Sequence, residues 1–145
     1  MLDKSFLTAI GRKKISRPTL MLFEAGKLRG KMLDYGCGRS VDLTTFSGAD
    51  RYDPFYWPLK PVWPYDTIIC HYVLNVIPYE PVRDLVINTV HDLLQYDGCA
   101  YFTVRRDKKK LNGWTKRGTW QGWVELDLPI FEENSNFCIY EMKRK

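Results

Sequence analysis

The order of apolar and polar positions predicts an α/β chain that opens with a short helix. Apolar side chains recur between Ser16, a residue type that often precedes a helix, and Gly26, a residue type that often follows one. Residues 31–36 then predict a buried strand that runs into glycines. The same pattern predicts a short helix over residues 40–46 and a second strand over residues 49–54.

Two long segments in the middle of the chain predict the centre of a sheet. Residues 65–77 are almost continuously apolar, which is typical of a central parallel strand covered on both faces. Residues 81–94 space their apolar side chains by three and four, which predicts an amphipathic helix. Further strands are expected over residues 99–106 and 136–144, whereas the proline-rich residues 56–64 predict a loop. This alternation predicts a Rossmann-like, parallel α/β sheet with helices on both faces.

Composition favours one domain, residues 1–145, which is long enough to bury a core without disulfides or metals. The four cysteines are scattered without a C-x-x-C pair, and the chain has two histidines, so neither a metal site nor a disulfide framework is expected. No apolar run is long enough to span a bilayer. We therefore expect a soluble, cytoplasmic protein with reduced thiols and no membrane contact; its oligomeric state is left open.

The turn after the first predicted strand is the first candidate for chemistry. Asp34 ends the strand, Gly36 and Gly38 follow at alternate positions, and Ser40 leads into the next element. In Rossmann-like folds, glycines at this turn let a phosphate or nucleoside approach the backbone. A glycine turn that serves chain geometry alone is the alternative interpretation.

A second acid is placed to share a ligand with this turn. Asp53 ends the second predicted strand 17 residues after Gly36, close to the separation of about 20 expected for an acid that binds ribose hydroxyls. Asp50 is a competing candidate, although it begins the strand. A turn-forming Asp-Pro pair is the structural alternative for Asp53.

The turn resembles motif I of the class I S-adenosylmethionine-dependent methyltransferases, D/E-x-G-x-G-x-G, with Ser40 in place of the last glycine. Five short segments within residues 13–121 also resemble short phage-encoded and DNA-phosphorothioation-associated methyltransferase-like proteins. They are KKISRP, LDYGCGRSVD, YDPF, YVLNVI and RGTWQ. The resemblance implies a minimal methyltransferase sheet that lacks a strand, and S-adenosylmethionine as the cofactor. Together with the strand ends it predicts these cofactor contacts: Asp34, Tyr35, Gly36, Cys37, Gly38, Asp53, Pro54, Phe55, His71 and Tyr72.

Methyl transfer from a sulfonium is an in-line displacement, so few catalytic side chains are required. His71 and Asn75 lie toward the end of the central strand, where a base would be placed, and His71 is the candidate proton acceptor. A histidine that is merely hydrogen-bonded at a strand end is the alternative. Phe55, Tyr56 and Trp57 could stack on adenine or cover the sulfonium, or could simply anchor the loop.

Residues 53–56, DPFY, resemble the D-P-P-[YFW] loop of adenine and cytosine amino-methyltransferases in letters. That loop follows the fourth strand of its family, whereas DPFY follows the second predicted strand here. The position therefore argues against this interpretation.

The methyl acceptor is suggested by the basic segment 105–123, in a chain of net charge +5. Tryptophans interleaved with lysines and arginines can follow phosphates and stack on bases, so a nucleic acid is the expected partner. A solvated loop is the alternative. Two other functions stay open: a catalytically idle module that binds a nucleoside or a partner, and an enzyme that degrades S-adenosylmethionine.

Overall fold

The computed structural model describes residues 14–107 and 113–145, which form two α-helices and eight β-strands. A 3₁₀ turn precedes the second helix. The element bounds are α1 Arg17–Glu24, β1 Met32–Tyr35, β2 Asp50–Tyr52, β3 Tyr65–His71, the 3₁₀ turn Leu74–Val76, α2 Glu80–Leu93, β4 Leu94–Arg105, β5 Gly113–Trp114, β6 Trp120–Gln121, β7 Ile130–Glu133 and β8 Phe137–Lys143.

Six of the strands in these residues form one mixed sheet in the order β2-β1-β3-β4-β8-β7. The pairs β1–β2, β1–β3 and β3–β4 are parallel, and β3 is central, as predicted. The expectation of an all-parallel sheet is wrong for the last two strands, because β8 runs antiparallel to β4 and β7. A tight turn at Asn134, whose side-chain oxygen accepts the N–H groups of Asn136 and Phe137, joins β7 to β8 and permits only antiparallel pairing.

The sheet is covered on both faces, as predicted. Ile68 and Cys70 of β3 pack in one core cluster with Val90 of α2. Ile69, which points the other way, packs in a second cluster with Leu22 of α1. Burial of both faces explains why the segment around β3 is apolar without alternation. No helix in the described ranges is both long and apolar enough to cross a membrane.

Three local predictions differ from the structure. Residues 40–46 form successive turns in place of a short helix, because the stretch between the glycines is too short to nucleate one. The strand predicted over residues 65–77 ends at His71, since Tyr72 adopts a left-handed backbone with φ of 60°. β4 begins at Leu94, directly after α2, and not at Cys99.

No strand forms between β2 and β3, where every residue is described, in agreement with the expected minimal sheet. The one pairing in this stretch is an antiparallel bridge between Asp53 and Trp57. β2 is therefore an edge strand of the sheet. Because β1, β2 and β3 run parallel, their carboxyl ends lie at the same edge of the sheet.

Candidate functional site

The turn after β1 is fixed to the ends of both neighbouring strands. Gly36 and Gly38 have positive φ angles of 76° and 55°. The N–H groups of Gly36 and Cys37 donate to the carbonyl of Tyr52, at 2.7 and 3.0 Å. A Cβ on Gly36 would lie 2.5 Å from Cγ2 of Val73, just beyond β3. Glycine at this position is thus required both by the backbone angle and by the close approach of two segments.

Asp53 organises the adjoining turn after β2. Its Oδ2 accepts the N–H of Gly38 at 2.9 Å, and its Oδ1 accepts the N–H groups of Phe55 and Tyr56 at 2.9 and 3.0 Å. Its backbone also exchanges two hydrogen bonds with Trp57. The carboxylate therefore joins the two turns, as well as forming the Asp-Pro turn anticipated as the structural alternative.

Asp50 lies at the opposite end of the sheet from the glycine turn. It begins β2, and its Oδ2 accepts the hydroxyl of Tyr65, which begins β3, at 2.5 Å. Burial, followed by this hydrogen bond, raises the pKa of Tyr65 to about 12. Of the two candidate acids, Asp53 is the one beside the glycines.

Asp34 is the most unusual group at this edge. It is 2% exposed, and its Oδ2 has no hydrogen-bond partner within the described chain. Burial raises the pKa of Asp34 well above its usual value, and the charge of Asp42 raises it further, whereas a hydrogen bond from Ser40 and the charge of Arg51 oppose the shift. A buried carboxylate without full compensation favours a cationic neighbour.

His71, the candidate base, is held between two hydroxyls. Its Nε2 lies 2.9 Å from Oγ1 of Thr19 in α1, and its Nδ1 lies 2.6 Å from Oγ1 of Thr103 in β4. Thr19 in turn donates to Oδ2 of Asp42 at 2.7 Å, and Ser16 donates to the same carboxylate. Both ring nitrogens are thus hydrogen-bonded, as in the alternative given above, and the role of His71 as a base stays a prediction. No pattern in the sequence indicated that Ser16, Thr19, Asp42 and Thr103 would join His71 in one network.

Asn75 is buried in the 3₁₀ turn and supports the β5–β6 hairpin. Its Nδ2 lies 3.3 Å from Oε1 of Gln121, and its carbonyl accepts the N–H of Gly122 at 2.9 Å. Its Oδ1 has no partner in the described part of the chain. Asn75 thus positions the hairpin over the end of β3 and keeps one buried acceptor available.

The other predicted cofactor residues of the β1 turn face the protein. The ring of Tyr35 packs against that of Tyr52, with centroids 5.0 Å apart, and burial is the main cause that raises its pKa to about 12. The Cys37 thiol is buried, which raises its pKa, and it contacts the carbonyl of Gly38. Through their side chains these residues shape the turn, while their backbones line it.

The predicted residues after β2 and β3 differ in exposure. Pro54 and Phe55 are exposed, and Phe55 packs edge-on against Tyr56 with centroids 4.8 Å apart. Tyr72 is half-buried beside His71, with ring centroids 6.5 Å apart. An aromatic pair next to Asp53 and a second ring next to His71 therefore flank the carboxyl ends of β2 and β3.

In the basic segment, Arg106 is a structural residue. It is 8% exposed, its Nε pairs with Glu133 at 3.0 Å, and its Nη2 donates to the hydroxyl of Tyr140 at 2.8 Å. Its Nη1 donates to the carbonyl of Val124, and its guanidinium lies 4.4 Å from the centroid of Trp123. The expectation that this arginine contacts phosphate is therefore replaced by a role in anchoring the loop to the sheet.

The remainder of the segment is more open. Arg105 forms an ion pair with Asp107, whereas Trp114 and Lys116 are exposed. Lys108–Lys110, expected to contact phosphates, lie outside the described residues. Among residues 14–107 and 113–145, no three acidic, histidine or cysteine side chains are grouped as metal ligands would be.

No protein-family model matches this sequence, and no curated protein is similar to it in sequence. Its structure is similar to that of 1,6-didemethyltoxoflavin-N1-methyltransferase from Burkholderia thailandensis, solved with 1,6-didemethyltoxoflavin and S-adenosylhomocysteine. That match has a TM-score of 0.63 at 14% identity and covers 88% of this chain and 77% of the other. The N-methyltransferase NodS from Bradyrhizobium japonicum WM9, solved with S-adenosylhomocysteine, gives a TM-score of 0.52 at 13% identity, with coverages of 88% and 84%.

The fold is that of a class I methyltransferase. This confirms the fold expected from the glycine turn and from the order of the elements. β1, β2 and β3 run parallel, so their carboxyl ends form one edge, which carries Asp34, Asp53 and His71 from separate parts of the sequence.

Proposed function

We propose that this protein is an S-adenosylmethionine-dependent methyltransferase whose cofactor binds at the carboxyl ends of β1, β2 and β3. The observation that carries the proposal is the buried Asp34 carboxylate, whose Oδ2 has no partner among the described residues, beside the glycine turn of a methyltransferase fold. S-adenosylmethionine carries an ammonium and a sulfonium, and a positive charge at this edge would offset the buried negative one.

The residues present fit this group. A carboxylate has about four lone-pair sites, and the structure uses three on Asp53 for the N–H groups of Gly38, Phe55 and Tyr56. One site is left to accept a ribose hydroxyl. The exposed Phe55 ring, supported edge-on by Tyr56, offers a surface for adenine.

The cofactor supplies an electrophilic methyl group, and the chain has to orient the acceptor, exclude water and receive a proton where the acceptor releases one. Gly38 has no side chain, so the turn offers backbone to a ligand at that position, whereas the space beside Gly36 is taken by Val73. Asn75 can orient an acceptor through its unpartnered Oδ1.

For the acceptor we propose a nucleic acid, bound along segment 105–123. Support comes from the net charge of +5, from the exposed Trp114 and Lys116, and from the resemblance to phage-encoded and phosphorothioation-associated proteins, which also favours a cytoplasmic location. Because Arg105 and Arg106 are paired within the chain, phosphate contacts would fall to the remaining cations.

An idle binding module is the second candidate, because the stretch between β2 and β3, described throughout, contains one isolated bridge and no strand. A single labelling experiment separates the candidates. The protein is incubated with methyl-labelled S-adenosylmethionine and, separately, with nucleic acid, protein and small-molecule fractions, using Asp34→Asn as the site variant and Asp50→Asn as the matched control. We expect label in an acceptor with the wild type and Asp50→Asn, and none with Asp34→Asn.

Cofactor that binds without transfer to any fraction would support the idle module. Loss of cofactor without a methylated product would identify a degrading enzyme. Label in protein or in small molecules, with none in nucleic acid, would contradict the nucleic-acid part of the proposal alone.

A further inference from the structure

A hydrogen-bonded network of four side chains links three elements near the proposed site. Asp42 of the loop after β1 accepts from Thr19 of α1, Thr19 contacts Nε2 of His71, and Nδ1 of His71 contacts Thr103 of β4. Thr19 and Thr103 are 0% exposed and Asp42 is 2% exposed, whereas His71 at the strand end is half-buried. Such a connected buried network is costly unless each member is satisfied.

The hydrogen-bond directions follow from the number of protons available. Thr19 has one hydroxyl proton, and the carboxylate of Asp42 can only accept it. The oxygen of Thr19 must then accept from His71, so Nε2 of His71 carries a hydrogen. In the neutral ring Nδ1 is consequently the acceptor, and Thr103 donates to it at 2.6 Å.

Asp42 is itself rigidly held, which fixes the position of Thr19. Its Oδ1 accepts the N–H of Ser16 at 2.7 Å and its Oδ2 accepts the Ser16 hydroxyl at 2.5 Å. Ser16 is the N-cap residue of α1, but its side chain makes no capping bond of its own. Asp42 thus serves as a cap from outside the helix, near the positive end of the helix dipole.

We propose that Asp42, acting through the Thr19 hydroxyl, is the charge partner of His71, and that Asp42, Thr19, His71 and Thr103 form a proton-accepting site at the cofactor edge. As its bond to the methyl acceptor breaks, the proton forms a bond to Nδ1 of the half-buried ring. The Thr103 hydroxyl, whose hydrogen had pointed at Nδ1, turns so that its oxygen accepts the new N–H. The ring keeps both hydrogen bonds, and the Asp42 carboxylate compensates the imidazolium charge. This inference rests on the proposed function for the source of the proton, which is the acceptor group that the methyl replaces.

The surroundings agree with this assignment. α1 and β4 contribute the uncharged hydroxyls, the β1 loop contributes Asp42 with Asp34 nearby, and the Tyr72 ring lies beside the imidazole. Burial alone would raise the pKa of Asp42, but its hydrogen bonds from Ser16 and Thr19 and the charge of His71 hold that pKa below its usual value. These contacts therefore favour the ionised form of Asp42.

Nitrogen-15 NMR of the histidines tests the site without any cofactor or acceptor. The chain has two histidines, and His91, which is paired with Asp92 on the surface, serves as the internal reference. We expect neutral His71 to be protonated at Nε2, and Asp42→Asn to lower the His71 pKa by about one unit with His91 unchanged. Asp92→Asn, which removes an acid beside the other histidine, is the matched control and should leave the tautomer and the pKa of His71 unchanged.

Two variants at Thr19 provide the same test if Asp42→Asn does not fold. Thr19→Ser retains the relay hydroxyl and should preserve the tautomer and the pKa, whereas Thr19→Val should lower the pKa of His71 and mix its tautomers. An Nδ1–H tautomer in the wild type, or an unchanged His71 pKa in folded Asp42→Asn or Thr19→Val, would overturn the inference. Failure of the protein to bind S-adenosylhomocysteine would overturn the proposed function and leave these NMR results as they stand.

Discussion

Asp53 accepts the backbone N–H of Gly38 at 2.9 Å, so the acid after β2 and the glycine turn after β1 form one structural unit. The turn after β1 and the turn after β2, which the sequence pointed to separately, are therefore joined by the Asp53 carboxylate. A ligand that contacts either turn meets a surface organised by both.

Replacing Asp53 tests this unit. We expect Asp53→Ala to weaken binding of S-adenosylhomocysteine by about 1.5–3 kcal/mol, because it removes a charged acceptor and also releases the Gly38 turn. Asp50→Ala, at the far end of β2, should leave the affinity unchanged. Titration calorimetry measures both, and equal losses in the two variants would mean that the ligand does not lie at the carboxyl ends.

Asp34→Asn should have opposite effects on stability and binding. In the folded protein the pKa of Asp34 is raised, so the native state holds this proton more tightly than the unfolded state does. Stability is thus lost as pH rises from the unfolded-state pKa through the raised native one. The asparagine removes this penalty, and we expect the free protein to become more stable at neutral pH while ligand binding is abolished.

Thermal unfolding at pH 5 and pH 8 provides the measurement. The stability deficit of the wild type relative to Asp34→Asn should be smaller at pH 5 than at pH 8, because more of Asp34 is protonated at pH 5. A variant that is less stable than the wild type at pH 8 would show that the Asp34 charge is already compensated in the free protein.

Gly36→Ala tests the close approach of the glycine turn to the segment after β3. The new Cβ would meet Val73 at 2.5 Å on a backbone with φ of 76°, so we expect a loss of about 1–3 kcal/mol of stability. Val73→Ala in the same chain should recover part of the loss by removing the contact but not the strain. Chemical denaturation of the two single variants and the double variant measures the coupling, and strict additivity would rule out the contact.

Two adjacent arginines should differ sharply in their contribution to stability. Arg106→Ala removes the guanidinium that donates to the Tyr140 hydroxyl and to the Val124 carbonyl, and we expect a loss of about 2–3 kcal/mol. Arg105→Ala breaks a more exposed pair with Asp107 and should cost under about 1 kcal/mol. Denaturant unfolding compares them, and similar losses would contradict the anchoring role of Arg106.

The sequence predicted what depends on local pattern. The apolar run around Ile68 and the glycines after Asp34 were recognisable because burial and backbone angles restrict residue type locally. The Asp42–Thr19–His71 network was missed because its members are common polar residues, and Thr19 and His71 are separated by 52 positions. Arg106 was misread for the same reason, since a basic run gives no indication of which cation is buried. β7 was missed because its side chains are exposed or half-buried without alternation.

The most direct test of the account is calorimetric titration of the wild-type protein with S-adenosylhomocysteine, in two buffers of different ionisation enthalpy at neutral pH. We predict saturable binding at one site, with net proton release, because the ammonium of the ligand lowers the raised pKa of Asp34. Asp34→Asn should show neither the affinity nor the release. A folded wild-type protein that gives no binding heat at millimolar ligand would contradict the account.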